Sequence, residues 1–211
     1  MKEASTPLET LHEIRDMMEK SSRFLSLSGL SGVFAGLFAL VGAGAAYRYL
    51  GIGIFEPAYH RYAYDAGRIN MHFIRFFLVD ATLVLVAALA AGIYFTARKA
   101  RKQGQSLWGF TARRLVFSMM IPLVAGGLFC LALVYHGAIG LAAPATLIFY
   151  GLALLNGSQH TLHDVRYLGI TEIILGILAS FFIGYGLLCW AIGFGLMHIL
   201  YGAIMYYKYE R

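Results

Sequence analysis

Charged residues are scarce in this sequence. Asp, Glu, Lys and Arg together make up 13% of its 211 residues, whereas hydrophobic residues make up 59%. A soluble domain carries about twice that share of charged residues on its surface. The scarcity of charge therefore excludes a soluble globular protein.

The sequence also lacks the alternation of apolar and polar residues that a membrane β-barrel requires. Its apolar runs are continuous, and each is close to the ~20 residues that span the hydrocarbon core as a helix. The predicted fold is an all-α membrane protein, a compact bundle of helical hairpins. Six transmembrane helices are predicted, at about 24–46, 76–97, 115–136, 138–156, 168–184 and 187–207.

Lys and Arg are distributed unevenly between the two predicted sides of the membrane. Thirteen of the 17 lie before the first span, in a basic loop at 98–114, before the fifth span or after the sixth. Cytoplasmic loops are the ones enriched in Lys and Arg, so both termini are predicted to be cytoplasmic. This topology accounts for the net charge of +6, and no nucleic-acid partner is predicted because no soluble basic face with stacking aromatic residues is present.

Residues 1–23 are predicted to form a cytoplasmic arm that precedes the transmembrane domain at 24–211. Thr6, Pro7 and Glu9 form a helix-start pattern. Such an amphipathic helix packs on the lipid bilayer or under its own bundle; the alternative is that it binds a cytoplasmic protein partner or a second copy in a homo-oligomer. The apolar positions of the helix have three- and four-residue spacing, at Leu8, Leu11, Ile14 and Met18.

Ionisable residues inside the spans are the first candidates for function, because they are costly in lipid. The candidates are Asp80, Glu172 and His198. A tight turn near Tyr185 joins the last two spans, so Glu172 and His198 are predicted at nearly equal depth. Side by side, they could share a proton, hold an ion or fix the helix pair by a hydrogen bond. Asp80 is predicted about one turn inside the outer interface, where water or Arg75 can satisfy it.

The segment at 47–75 is predicted to lie outside, at the membrane interface. Pro57 is predicted to start a helix there whose residues at four-residue spacing share one face. The tyrosines of the segment favour an interfacial cap, and a lid that binds an anionic ligand is the alternative. The candidate outer ligand face consists of His60, Tyr64, Arg68 and His72.

Signatures of enzymes and cofactor sites are missing from the sequence. It has no G-x-S-x-G, H-E-x-x-H or Walker motif. His160, His163 and Asp164 have ligand spacing, but no second cluster accompanies them. We therefore expect no cofactor, no metal and no catalytic residue.

Several short motifs lie before and within the first span and in the second half of the chain. They are Arg15, Met18-Glu19-Lys20-Ser21, Phe24, Ser28-Gly29, Tyr150-Gly151, Gly157 and Leu168-Gly169. Together they resemble a group of uncharacterised bacterial six-span integral membrane proteins, whose arm reads roughly I-R-x-x-M-E-x-S-x-x-F, and the similarity covers most of this chain. The resemblance implies a location in the bacterial inner membrane and no assigned activity.

These observations favour a non-enzymatic role. The first hypothesis is a membrane-embedded binding or regulatory subunit for a small hydrophobic ligand or a protein partner. The alternative is a small secondary transporter or channel that uses the Glu172 and His198 pair. Transport requires a polar path that reaches water through Glu172, whereas a binding subunit has a dry core.

Overall fold

The structure is a computed structural model that describes residues 24–57, 59–104, 106 and 108–211. The predicted arm at 1–23 lies outside these residues. Six long helical stretches make the fold all-α. They are α1 (Gly29–Leu50), α2 (Met71–Lys102), α3 (Phe110–Tyr135), α4 (Ala142–Gly157), α5 (Asp164–Phe181) and a last stretch composed of α6 (Gly186–Trp190), a π-helical segment (Ala191–Met197) and α7 (His198–Tyr209).

Five of these stretches are long and apolar enough to cross a membrane, as in a multi-pass membrane protein. The exception is α5, whose 18 residues include the charged residues Asp164, Arg166 and Glu172. The sequence predicted six spans, including 168–184, so the prediction exceeds the number of strongly apolar helices by one. The five are Gly29–Leu50, Met71–Lys102, Phe110–Tyr135, Ile139–His160 and Ile183–Tyr209.

The helices pack in an order that differs from their order along the chain. α1 lies between α2 and α7, the last stretch also contacts α5, and α4 lies between α5 and α3. The consecutive helices α2 and α3 are therefore at the two ends of this order. We call the end of the bundle that contains Lys102 and Lys208 the basic end, and the opposite end, with the connection at 51–70, the hairpin end.

Glycines bring α1 and the last stretch into backbone contact. A Cβ atom added to Gly36 would lie 2.5 Å from the carbonyl oxygen of Gly195, and one added to Gly202 would lie 2.6 Å from the amide nitrogen of Val33. Small residues at a helix crossing allow this close approach. In lipid the hydrophobic effect does not drive helices together, so van der Waals packing of this kind stabilises the contact instead. The glycine face of α1 is thus used within the chain.

The connection at the hairpin end does not form the helix that was predicted to start at Pro57, so that prediction is wrong. A single 3-10 turn (Tyr59–Ala63) leads into two short antiparallel strands, β1 (Tyr64–Asp65) and β2 (Arg68–Ile69). Ala66 and Gly67, between the strands, have φ values of 48° and 78°. Two consecutive residues with positive φ form a tight hairpin turn and interrupt a helix.

The helices are also longer than predicted on both sides of the basic loop. α2 continues to Lys102 and α3 begins at Phe110, so most of the predicted loop at 98–114 is helical. Basic residues in the last turn of α2 favour this extension because they interact with the negative end of the helix dipole. Likewise, the outer segment predicted at 47–75 shortens to 51–70.

Asn70 fixes the start of α2, and its loss should be measurable. Its side-chain oxygen accepts hydrogen bonds from the amides of His72 and Phe73, at 3.0 and 3.2 Å. Asn70→Ala should lower the free energy of unfolding by about 1 kcal/mol because two amides lose their acceptor. Unfolding followed by circular dichroism measures this loss. Asn70→Asp keeps the acceptor and should retain most of the stability; equal losses in both variants would contradict the capping role.

Candidate functional site

Glu172 and His198 meet in the centre of the bundle. The structure places His198 Nδ1 3.3 Å from Glu172 Oε1, and the Glu172 side chain is 0% exposed. Neither carboxyl oxygen has a hydrogen-bond partner among the residues that the structure describes. A buried carboxyl group without hydrogen bonds is unfavourable as an isolated anion. His198 is therefore the neighbour that can offset a charge on this carboxyl group.

Three further groups contact the His198 ring. Tyr150 from α4 lies with its hydroxyl 2.8 Å from Nε2, and the carbonyl oxygen of Gly193 lies 3.0 Å from Nδ1. Because a carbonyl only accepts, Nδ1 carries a proton in this bond, and the Tyr150 hydroxyl donates to Nε2 when the ring is neutral. Phe194 stacks on the ring with an interplanar angle of 18°. Three helical stretches thus hold one imidazole.

The pair can remain neutral as a unit. One proton on the carboxyl gives a neutral acid beside a neutral imidazole, and the same proton on the ring gives an ion pair. In both states the site has no net charge, which limits the cost of burying it. Because Nδ1 already carries a proton, a proton from Glu172 would have to reach Nε2 on the Tyr150 side of the ring. What the geometry supports directly is that the pair fixes the helices α4, α5 and α7 at one level.

The π-helical segment gives the carboxyl group its space. A Cβ atom at Gly193 would overlap Glu172 Oε2, so a glycine is required at this point of close approach. π-helical turns inside longer helices are frequent at functional sites. Here the turn lies one step before His198 and supplies the carbonyl that its ring contacts.

Asp80 does not join this pair. It lines a separate apolar cavity of about 280 Å³ in the half of the bundle nearer the hairpin end, between α1, α2, α3, α4 and α6. Among the described lining residues Asp80 is the only charged one, and it forms no ion pair with another described residue. The walls are apolar and include Phe73, Phe77, Ile139, Leu187 and Trp190.

The cavity opens between α2 and α3. Leu78 from α2 and Leu131 from α3 line it, and each of these side chains is 65% exposed. Tyr59 closes it at the hairpin end and donates a hydrogen bond to the Gly140 carbonyl at 2.6 Å. Burial, with a smaller contribution from Cys189, raises the pKa of Tyr59, so its hydroxyl remains a donor at neutral pH.

The predicted outer ligand face is not formed. Tyr64 and Arg68 lie on opposite strands of the hairpin, where Tyr64 pairs with Ile69 and Arg68 with Asp65. His60 Nδ1 is buried, and burial, followed by the neighbouring Arg61, lowers the pKa of His60. Because His60 is then neutral at physiological pH, it adds no charge for an anion. His72 is exposed in the first turn of α2.

Other ligand types and relatives give no further indication. Within residues 24–57, 59–104, 106 and 108–211 no group of three His, Cys, Asp or Glu side chains could hold a metal ion. Comparisons of the chain with protein-family models, curated proteins and solved structures find no match. The interpretation of function therefore depends on the geometry of the two sites.

Proposed function

We propose that this protein is a membrane-embedded binding protein for a small hydrophobic ligand. The observation that carries the proposal is the apolar cavity with Asp80 in its wall. Ligand sites are concave and mostly apolar, with a few polar groups that fix orientation. At about 280 Å³, the cavity suits a ligand of modest size. Its occupant is an amphiphile with an apolar body and an amine or other donor that contacts the Asp80 carboxylate.

The proposed topology has six crossings, with the basic end and both termini in the cytoplasm of a bacterial cell. α5 supports the sixth crossing because it lies along α4: a Cβ atom at Gly169 would be 2.8 Å from the Gly151 carbonyl oxygen, and one at Gly176 2.9 Å from that of Pro144. α4 belongs to one of the five apolar stretches. A helix in backbone contact with it over this length lies at the same depth, with its charged Glu172 directed inward.

Access to the site is lateral in this proposal. Leu78 and Leu131 border the opening between α2 and α3, and a bilayer surrounds these exposed apolar side chains. An amphiphile dissolved in the membrane reaches Asp80 without crossing water. The arm at 1–23 is the predicted place where a cytoplasmic partner would bind if the protein acts as a regulatory subunit.

Tryptophan fluorescence tests the proposal directly, because Trp190 lines the cavity and Trp108 does not. In a Trp108→Phe background, a dodecylamine that carries a nitroxide should quench Trp190 saturably. Asp80→Asn should weaken binding of this amine about tenfold or more, the value of one hydrogen bond to a charged group. The corresponding nitroxide alcohol should bind both proteins equally.

Two variants separate cavity binding from general partitioning. Ala143→Phe fills the cavity, which Ala143 lines, and should abolish saturable quenching. Asp65→Asn removes the same charge from the hairpin, outside the cavity, and should leave the affinity unchanged. Quenching that never saturates, or that is the same in all variants, would sink the proposal. Native mass spectrometry of the protein from its own membrane then identifies the natural ligand.

The second candidate is a small secondary transporter or channel. The buried Glu172 carboxyl group, which has no hydrogen bond to a described residue and lies beside His198, favours it, because buried ionisable residues are typical of proton relays. A transporter also needs water to reach the relay, and the Glu172 side chain is fully buried. The dry site therefore ranks below the cavity as the basis of function.

A further inference from the structure

A second cavity lies at the basic end of the bundle, between α1, α2 and α7, and has a volume of about 310 Å³. Three cationic side chains of α2 line it, namely Arg98, Lys99 and Lys102. The only acid among the described lining residues is Glu210. The charge of the cavity depends on which of these groups neutralise one another.

Glu210 is fully occupied by groups of the protein. One carboxylate oxygen accepts a hydrogen bond from the amide of Gly29, at the start of α1, and the other accepts from the hydroxyl of Ser28 at 3.1 Å. Lys99 Nζ lies 3.6 Å from Glu210 Oε1 and donates to the carbonyl of Leu27 at 2.8 Å. Glu210 thus caps α1 and neutralises Lys99, whose side chain is only 8% exposed.

Arg98 and Lys102 remain as a cationic surplus. Both are exposed, and neither forms an ion pair with another described residue. They are four positions apart on α2, so they lie on the same face of the helix. Two cations at this spacing on one cavity wall form a site for an anion with several oxygen atoms, such as a phosphate ester.

Part of the remaining lining is apolar, and on α2 this part lies nearer the middle of the helix than the cations do. Leu30 follows the capped start of α1 by one position, and Phe95 precedes Arg98 by almost one turn. A soluble anion gains nothing from contact with these apolar side chains, whereas the glycerol and the first acyl carbons of a lipid can pack against them. Basic pockets between transmembrane helices bind anionic lipid head groups in this way.

We propose that this cavity binds an anionic phospholipid, with its phosphate between Arg98 and Lys102 and its acyl chains along Phe95 and Leu30. Lys99 and Glu210 form the neutral floor of the site. The site is independent of the apolar cavity that contains Asp80, at the other end of the bundle. A lipid bound here contacts α1, α2 and α7 and so holds these three helices together at the basic end.

Lipid titration of the full chain in a non-ionic detergent, followed by native mass spectrometry, tests this proposal. Phosphatidylglycerol should bind about tenfold or more tightly than phosphatidylcholine, because each Lys or Arg near anionic lipid contributes about one kcal/mol. Arg98→Gln/Lys102→Gln should remove this preference. Arg113→Gln/Arg114→Gln, which removes two exposed cations of α3 outside the cavity, should preserve it.

Each outcome of these titrations is decisive. An equal loss in both double variants would show a general effect of basic charge and overturn the site. Release of phosphatidylglycerol by millimolar inorganic phosphate would show a site for a free anion and overturn the lipid assignment. The lipid comparison and the phosphate competition use the unaltered chain, so a variant that does not fold leaves the proposal open to refutation.

Discussion

Gly36→Ala should lower the free energy of unfolding by about 1–3 kcal/mol, the usual range for overpacking a tight contact. The added methyl group would meet the Gly195 carbonyl oxygen at 2.5 Å and the Ile199 amide nitrogen at 2.9 Å. Backbone atoms cannot rotate away as a flexible side chain can, so α1 and α7 must separate. Separation also loosens the contacts of Gly29, Gly32 and Gly202 along the same crossing.

Gly44→Ala provides the matched control in the same helix. Nothing lies within 4 Å of a Cβ atom at Gly44. Alanine has the higher helix propensity, so this variant should be neutral or up to about 1 kcal/mol more stable. Unfolding in mixed micelles with increasing fractions of an ionic detergent, followed by circular dichroism, compares the two. Similar stabilities for the two variants would contradict the tight crossing.

His198→Leu should have the largest effect on stability, a loss of about 3–5 kcal/mol, because it leaves the Glu172 carboxyl buried without its partner. Glu172→Met should cost less, since the imidazole keeps its contacts with Tyr150 and the Gly193 carbonyl. The double variant Glu172→Met/His198→Leu should be more stable than His198→Leu alone, because it also removes the buried carboxyl group. The Tyr150 hydroxyl and the Gly193 carbonyl lose the imidazole equally in both variants.

A double-mutant cycle measures this coupling. The free energies of unfolding of the four proteins, determined in the same micelles, give the interaction between Glu172 and His198. Strictly additive losses would show that the 3.3 Å approach of the two side chains has no energetic consequence. Binding of the nitroxide amine should persist in a folded double variant, whereas a transporter that relays protons through Glu172 would lose its flux.

Apolar run length predicted most of the helices, and the turn near Tyr185 predicted equal depth for one pair of residues. Positions that sum to about 371 lie at the same depth, which agrees with the 3.3 Å approach of Glu172 and His198; that the two side chains face each other was not predicted. The same arithmetic applied to the turn near Thr161, which joins α4 to α5, places Tyr150 at the level of Glu172. Tyr150, the third member of the site, was not predicted, and its depth was the available signal.

The hairpin end could not be predicted from four-residue spacing alone. Periodicity describes which side chains would share a face if the segment were helical, and it does not test whether the backbone is. The turn at Ala66 and Gly67, with positive φ, and the cap at Asn70 determine the local structure instead. Asp65-Ala66-Gly67 was the available turn signal, because glycine adopts positive φ at little cost.

The cavity with Asp80 was also beyond sequence reasoning. Its lining comes from five helical stretches that are far apart along the chain, and its opening depends on α2 and α3 lying at the two ends of the packing order. Hydrophobic patterns assign each helix an apolar surface but do not determine which surfaces leave a gap. Asp80 was a candidate because it is an ionisable residue inside a span, and the apolar cavity around it was not predicted.

The packing of α1 against the last stretch also affects the timing of biosynthesis. Gly29 and Glu210, which contact each other, are 181 residues apart. At about 5–20 residues per second, the ribosome needs roughly ten to forty seconds to synthesise the intervening chain. During this interval the newly inserted first helix presents its glycine face to the bilayer, where a chaperone or an unrelated helix can occupy it before the proper neighbour arrives.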